Sequence, residues 1–207
     1  MHCLLNRRLE WNFEKTTLIQ NEGVRTIRRI IFGLLVISLF FISVLIYNHQ
    51  QQPTVEDVFE TTKNWSPPTE EVYLLRKIEG EWLTIFRNQH SVLIGELKQN
   101  WFGLWQIRDE TGGESSLSGT YYPPVEDDEF TWGANGATEK EIVYYFGQII
   151  NPQIQKITVF DEDVPIITSN GYRFFFKKLN GDFERPTNIK AFSKSGELIH
   201  STIPNTP

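Results

Sequence analysis

The chain has 207 residues, of which 20 are basic, 26 are acidic and one is cysteine. A single cysteine excludes a disulfide framework. The acidic excess argues against nucleic-acid binding, because a protein that binds phosphates needs a basic surface. It also argues against tight electrostatic docking on anionic lipid headgroups.

The first pronounced element in chain order is an apolar run over residues 30–47, eighteen residues without a charge. A helix of this length measures roughly 27 Å at about 1.5 Å per residue, close to the thickness of the hydrocarbon core of a bilayer. Every face of the helix is apolar, whereas a soluble amphipathic helix keeps a polar stripe. The run therefore predicts a transmembrane helix over 30–47.

The residues after this run favour an uncleaved signal anchor. A secretory signal has a shorter apolar region followed by a small-x-small cleavage site. The segment SVLIYNHQQQP contains no such site, and the only cysteine, Cys3, precedes the run, which excludes the lipoprotein route. We expect the anchor to be retained, with cleavage as the alternative.

The distribution of basic residues predicts the orientation of the helix. Arg25, Arg28 and Arg29 abut its amino end, and the first basic residue after it is Lys63. Basic residues prefer the cytoplasmic side of a membrane. We therefore predict a single-pass plasma-membrane protein with a cytoplasmic N-terminus and an extracytoplasmic C-terminal domain.

Residues 1–29 form the predicted cytoplasmic tail. The first 23 residues mix both charges and have no hydrophobic period. One interpretation is a short cytoplasmic tail. The other is that translation starts at Val24, so that the product opens with RTIRR directly before the apolar run and residues 1–23 are untranslated.

The part of the chain from residue 48 onward holds 14 basic and 23 acidic residues, a net charge of −9. We interpret 48–68 as a spacer that includes one or two helical turns over 54–64. The segment WSPPTEE ends these turns, because paired prolines favour extended backbone. Residues 69–207 then form the predicted extracytoplasmic β-domain.

Short apolar segments separated by turn residues follow along the β-domain and predict strands. The first four form an antiparallel meander, with a helix over 69–78 as the competing interpretation of the first. Residues 109–119 and most of 121–141 are predicted loops, with a short strand near Tyr121. The pattern indicates a mostly β fold, an antiparallel β-sandwich, with an immunoglobulin-like arrangement as one form of it. The predicted strands are 72–78, 81–87, 91–98, 101–108, 141–150, 153–160, 164–168, 172–179, 188–193 and 197–203.

Four segments together resemble a group of small secreted or membrane-attached β-domains of Gram-positive bacteria. They are WFGLWQ (101–106), YFGQIINPQIQKITV (145–159), GYRFFF (171–176) and IKAFSKSGELIH (189–200). The resemblance covers most of residues 70–203. It implies a β fold and a location at the cell envelope, and it implies no activity, cofactor or catalytic residue.

No local pattern in the sequence indicates catalysis. The G-x-S-x-G and S-x-x-K motifs are absent, and His90 and His200 lie far apart, so a composite zinc site built from them is a minor alternative. The carboxylates of 126–129 and 161–163 have the chemistry to bind calcium weakly, but solvated turns explain them better. We predict a non-enzymatic protein with no catalytic, metal or cofactor residues.

The tryptophans supply the remaining site candidates. Trp101, Gly103 and Trp105 share one face of the predicted strand 101–108, where a core role is favoured. Trp132 lies in a predicted loop, where it either covers the core or contacts a ligand. We select Trp132, with Tyr121 and Tyr122, as candidate contact residues for a partner protein or a glycan.

These observations favour a membrane-anchored binding or accessory module at the cell envelope. A free sheet edge that pairs with a strand of a partner protein would serve such a module. Two alternatives remain open. One is a module that binds cell-wall glycans through exposed aromatic rings, and the other is a wall-active enzyme with a composite carboxylate site.

Overall fold

A computed structural model describes residues 27–109, 112–137, 141–181 and 186–203. The chain divides into two compact units, Met1–Gln51 and Gln52–Pro207. Most of the predicted cytoplasmic tail, including the alternative start at Val24, lies outside the described residues. We describe each unit by itself.

The first unit contains helix α1, which spans Ile27–Gln50. Within the described part of the chain it is the one helix long and apolar enough to cross a membrane, and none of its apolar window is buried. The Ser43 hydroxyl donates a hydrogen bond of 2.8 Å to the Leu39 carbonyl, so this polar group is satisfied within the helix. The helix predicted over 30–47 is confirmed, and its properties fit either a membrane anchor or a signal sequence.

The second unit begins with a short helix, α2, at Val55–Thr62. Its amino end is held by a capping box, because the Thr54 hydroxyl accepts from the Asp57 backbone N–H and the Asp57 carboxylate accepts from the Thr54 backbone N–H at 2.7 Å. Val58 and Thr62 are buried. The helix lies within the segment 48–68 that the sequence suggests is a spacer.

The remainder of the described domain is built from strands that pair antiparallel throughout. Alternating and continuous apolar residues bounded by turns account for most of these strands. The strands are β1 Glu71–Ile78, β2 Glu81–Arg87, β3 Ser91–Gln99, β4 Trp105–Ile107, β5 Ser118–Tyr121, β6 Phe130–Ala137, β7 Ile142–Ile149, β8 Ile154–Val159, β9 Glu162–Val164, β10 Ile166–Ser169, β11 Tyr172–Asn180, β12 Ile189–Ser193 and β13 Leu198–Ser201.

The strands form three sheets. The first sheet has the order β1-β2-β3-β4, with β5 also paired to β3. The middle sheet has the order β10-β11-β7-β6, and the third has the order β13-β12-β8-β9. The predicted mostly β, antiparallel fold is confirmed, although it has three sheets, and an immunoglobulin-like topology is not confirmed.

The middle sheet buries both of its faces. Tyr144 and Phe146 of β7 pack in one core with residues of the first sheet, and Val143 and Tyr145 pack in a second core with residues of the third sheet. Successive side chains of a strand point to opposite faces. This explains the continuous apolar run of β7, which is typical of a strand covered on both sides.

A third core lies on the other face of the first sheet. Val58 of α2 packs there with Phe86, Leu97 and Ile107, all of them fully or nearly fully buried. The half-buried side chains of Trp65, Trp82 and Trp105 complete this cluster. Helix α2 is therefore an integral cover of the first sheet.

Two predicted segments are wrong and one competing interpretation is excluded. The predicted strand 101–108 begins only at Trp105, because residues 101–103 form a turn. The predicted loop 121–141 contains strand β6, whose pairing with β7 overrides the glycines that suggested a loop. The competing helix over 69–78 is absent, since these residues are paired as β1 with β2.

Candidate functional site

The most distinctive surface feature of the domain is the aromatic turn, residues 100–104, which connects β3 to β4. It presents three large apolar side chains to solvent. Trp101 is 62% exposed, Phe102 is 50% exposed and Leu104 is 56% exposed. Three such residues next to each other on a turn form the kind of exposed apolar patch that marks an interaction site.

Asn100 determines the shape of the aromatic turn. Its side-chain Oδ1 accepts hydrogen bonds from the backbone N–H groups of Phe102, at 2.9 Å, and Leu104, at 3.1 Å. Its backbone N–H donates to the Leu104 carbonyl at 2.8 Å, and its own carbonyl accepts from Gly103 at 2.9 Å. Gly103 has φ +76°, a left-handed conformation that glycine adopts without strain. The side chains are therefore displayed by a hydrogen-bonded scaffold.

The two aromatic rings of the turn stack on each other. The ring centroids of Trp101 and Phe102 lie 5.1 Å apart, and the planes differ by 13°. Stacking reduces the apolar area that each ring presents to water, but about half or more of each side chain stays accessible. The turn thus offers a preformed aromatic face.

Trp105, the next aromatic residue along the chain, has a different environment. Its ring packs edge-on against Trp82, with centroids 6.3 Å apart, and its carbonyl accepts a hydrogen bond of 3.2 Å from the Thr61 hydroxyl of α2. The prediction that Trp101, Gly103 and Trp105 share a core-facing strand surface is therefore wrong for Trp101. The turn reverses the chain before β4 begins, so only Trp105 joins the core cluster.

The three residues predicted as contacts have different surroundings. Trp132 lies in β6, half-buried against the core between the middle and third sheets. Tyr122 packs against the core between the first and middle sheets, with the Arg87 guanidinium carbon 4.9 Å from its ring centroid. The structure therefore does not bring Trp132 and Tyr122 into one surface.

Tyr121, at the end of β5, is 45% exposed. Its hydroxyl donates a hydrogen bond of 2.7 Å to the Asp128 carboxylate. Partial burial, together with this hydrogen bond, raises the pKa of Tyr121 to about 12. Asp128 also accepts from the Val125 backbone N–H at 2.6 Å, so part of the acidic segment 126–129 stabilises a local turn.

The second acidic segment, 161–163, is occupied by ion pairs. Each of its carboxylates lies 2.7–2.8 Å from a lysine ammonium nitrogen, and each acidic side chain is well over half exposed. Exposed ion pairs of this kind are typical of a solvated surface rather than of a reaction centre. The pairs are Asp161–Lys190, Glu162–Lys177 and Asp163–Lys156.

The described residues contain no group of three His, Cys, Asp or Glu side chains able to hold a metal ion. The two histidines considered for zinc have separate surroundings. The ring of His200 packs edge-on against Phe130 with centroids 5.1 Å apart, and His90 lies in the turn between β2 and β3.

The sequence contains a signal for the aromatic turn that the strand interpretation overlooked. Gln99-Asn100 before Trp101, and Gly103 two residues later, are turn-forming residues within an otherwise apolar segment. No protein-family model, curated protein or solved structure matches this chain. The resemblance to Gram-positive β-domains therefore stays a prediction.

Proposed function

We propose that this chain is a single-pass, membrane-anchored and non-enzymatic binding module of the cell envelope, with the aromatic turn as its contact surface. The observation that carries the proposal is the exposure of Trp101, Phe102 and Leu104 on a turn that Asn100 holds in one conformation. A rigid apolar surface loses little conformational entropy when it binds. This property favours a contact role for the turn.

The anchor and its orientation rest on helix α1 and its flanks. The helix is long and apolar enough to span a bilayer, and Arg28 and Arg29 lie at its amino end. Basic residues on that side support a cytoplasmic N-terminus and an extracytoplasmic β-domain. The Gram-positive plasma membrane, which the sequence resemblance implies, is the setting we propose.

The surroundings of the described carboxylates support a binding role over a wall-active enzyme. Catalytic pairs need carboxylates that converge in a cleft, with pKa values pushed apart by their environment. Asp161, Glu162 and Asp163 instead each face a lysine at the surface. The Asp128 carboxylate accepts hydrogen bonds from the Tyr121 hydroxyl and from a backbone N–H group.

A cell-wall glycan is the second candidate ligand for the same surface. The stacked rings of Trp101 and Phe102 favour it, because sugars pack against exposed aromatic faces. A sedimentation assay with purified cell-wall sacculi tests this candidate. Saturable pelleting of the full chain that is lost in Trp101→Ala, and kept in Trp132→Ala, would support glycan binding.

Cysteine accessibility tests the proposed function without assuming the class of ligand. In a Cys3→Ser background, Leu104→Cys places a thiol on the aromatic turn and Gln155→Cys places one on the exposed surface of β8. A membrane-impermeant maleimide is added to intact cells and, separately, to the chain after extraction and unfolding in urea.

We expect Cys at position 104 to react slowly in cells and rapidly in urea, because unfolding removes whatever covers the turn. The thiol at position 155 should react rapidly in both, which also verifies that the domain is extracytoplasmic. Rapid labelling of both thiols in cells would show that the turn is uncovered, and the proposed contact role would be wrong. Protection of both in cells alone would contradict the proposed orientation.

A further inference from the structure

We infer that the ligand of the aromatic turn is the bilayer itself, so that the turn inserts Trp101, Phe102 and Leu104 into the interface of the membrane that anchors the chain. The inference rests on the proposed function and identifies its partner. The interaction is apolar insertion, and it adds a second, reversible membrane contact to the one made by helix α1.

The covalent connection between the apolar helix and the turn is short. Only four residues, 51–54, lie between the end of α1 and the start of α2. The five Cα–Cα steps from Gln50 to Val55 reach at most roughly 18 Å, and the path along α2 to Thr61 adds about 10 Å. The Thr61 hydroxyl donates a hydrogen bond to the carbonyl of Trp105, the residue that directly follows the turn. The covalent path from the apolar helix to the base of the turn is therefore short, whatever the arrangement of the two units.

A short connection makes the binding of a second membrane site effectively intramolecular. A short link that can span two sites gives an effective concentration on the order of millimolar. A weak affinity of the turn for the bilayer is then enough to keep it inserted for most of the time. A soluble partner would have to compete for the turn with the bilayer that anchors the chain.

The chemistry of the turn fits the membrane interface. Tryptophan is enriched at the boundary between headgroups and acyl chains, and phenylalanine and leucine favour the acyl side of that boundary. All three types occur together in residues 101–104, with Gly103 between them and no charged side chain. The hydrogen bonds made by Asn100 satisfy several backbone groups of the turn internally, which lowers the cost of removing them from water.

Charges near the turn are mixed in sign and form no basic surface for anionic lipid. Lys98 is paired with the buried Glu96 at 2.8 Å, so its charge is largely compensated. The turn between β1 and β2 lies at the same end of the first sheet and contains Glu79, with the exposed Lys77 and Glu81 in the strands beside it. The predicted binding therefore does not require anionic lipids and withstands high salt.

Helix α2 carries two further exposed apolar side chains. Val55 is 41% exposed and Phe59 is 38% exposed, and α2 packs beside β4. Both residues lie on the first helix after the connection. Their exposure fits an element that faces the membrane interface rather than open water.

Quenching of tryptophan fluorescence by brominated lipid tests the inference. The full chain is reconstituted in phosphatidylcholine vesicles with and without dibromo-phosphatidylcholine, and the quenched fraction of the emission is measured. Trp101→Phe keeps an insertable ring but removes the reporter. Trp105→Phe is the matched control, because Trp105 is half-buried in the core cluster.

We expect Trp101→Phe to remove a clear part of the quenched emission and Trp105→Phe to leave that part in place. Phe102→Ser combined with Leu104→Ser should lower the ratio of inserted to free turn about tenfold or more, since burial of one large apolar side chain alone is worth about a factor of ten. Addition of phosphatidylglycerol or 1 M salt should change nothing. Circular dichroism of each variant verifies that the exposed substitutions leave the fold intact.

The inference would be overturned if Trp101→Phe left the quenched fraction unchanged, or if quenching required anionic lipid and disappeared in salt. This outcome is separable from failure of the proposed function. A turn that is protected in cells but not quenched by bromolipid is covered by a protein or a glycan. A turn that is unprotected in cells has no ligand of any class.

Discussion

Two aromatic regions of this chain have opposite environments. The middle sheet contains runs of aromatic residues in β7 and β11, and Phe146, Phe174 and Phe175 in them are fully buried. The aromatic turn is just as rich in aromatic residues, yet Trp101 and Phe102 are at least half exposed. Aromatic content therefore does not by itself distinguish core from contact surface.

The position of each region in the sheets explains the difference. Strand β7 has a hydrogen-bonded neighbour on each edge and a packed layer on each face, so each of its side chains has a core to enter. The aromatic turn lies beyond the last ladder pair of β3 and β4, Gln99 with Trp105, and its side chains extend past the end of the sheet. The fold does not bury the large apolar side chains of the aromatic turn. We interpret this exposed apolar area as a capacity to bind a ligand.

Matched phenylalanine-to-alanine substitutions give the largest expected effect. Phe175→Ala should lower the free energy of unfolding by about 3–5 kcal/mol, because it leaves a cavity in the core between the middle and third sheets. Phe102→Ala should change it by less than about 0.5 kcal/mol. Urea unfolding of each full-length variant in detergent, followed by circular dichroism, measures both.

Equal effects of the two substitutions would contradict the comparison. A large loss of stability in Phe102→Ala would mean that the aromatic turn is part of the packed structure and not a free surface. A negligible loss in Phe175→Ala would mean that the middle sheet is not buried on both faces.

A second expected effect concerns how closely the sheets approach each other where β5 and β6 meet. A Cβ atom at Gly133 would lie 2.0 Å from the Gly119 backbone carbonyl oxygen, whereas one at Gly136 would have no neighbour closer than 3.5 Å. We expect Gly133→Ala to destabilise the domain by about 1–3 kcal/mol, since a backbone atom cannot move aside easily. Gly136→Ala in the same strand is the matched control.

The midpoint of thermal unfolding is a sufficient measurement for this pair. Gly133→Ala should lower it by several degrees relative to Gly136→Ala. If the two variants unfold at the same temperature, β5 and β6 do not approach each other this closely, and the first and middle sheets are packed less tightly at that point.

Much of the fold could be predicted from the sequence because local patterns determine it. The turn at Glu79-Gly80 and the alternation in 81–87 indicate β1 and β2 correctly, with Leu83 and Ile85 on one face and Trp82 on the other. The common face of Val55, Val58 and Phe59 likewise indicates a short helix.

The arrangement of the sheets could not be predicted in this way. The aromatic runs of β7 and β11 indicate buried strands, but no local pattern says that two other sheets cover them. Strand β6 was missed because its residues Gly133, Asn135 and Gly136 are typical of a loop, and only its pairing with β7 makes it a strand.

The candidate site was missed for a related reason. Trp101 was placed on a strand face because the alternation of Trp101, Gly103 and Trp105 fits period two. The hydrogen bonds of Asn100, which convert these residues into a turn, depend on side-chain geometry that the alternation does not encode. The prediction for Trp132, that it either covers the core or contacts a ligand, still awaits a binding experiment.

Tyr121 gives the smallest expected effect. It adds a third case to the comparison of buried and exposed aromatic residues, because it is exposed but has a polar partner. Its pKa in the folded chain is about 12, above its ordinary value of 10.0, because of partial burial and the hydrogen bond to Asp128. A raised pKa stabilises the fold below pH 10, and this contribution is lost as the pH rises from 10 to about 12. Because the side chain is 45% exposed, the contribution is less than about 1 kcal/mol.

Tyr121→Phe should therefore unfold slightly more easily than the parent at neutral pH, and the difference should disappear between pH 10 and about 12. Tyr73 also has a raised pKa because it is buried, but it is present in both proteins and cancels in the difference. Asp128 keeps its bond to the Val125 backbone, so the variant retains the local turn. If parent and variant were equally stable at every pH in this range, the hydroxyl would contribute nothing, and Tyr121 would be held by contacts of its ring alone.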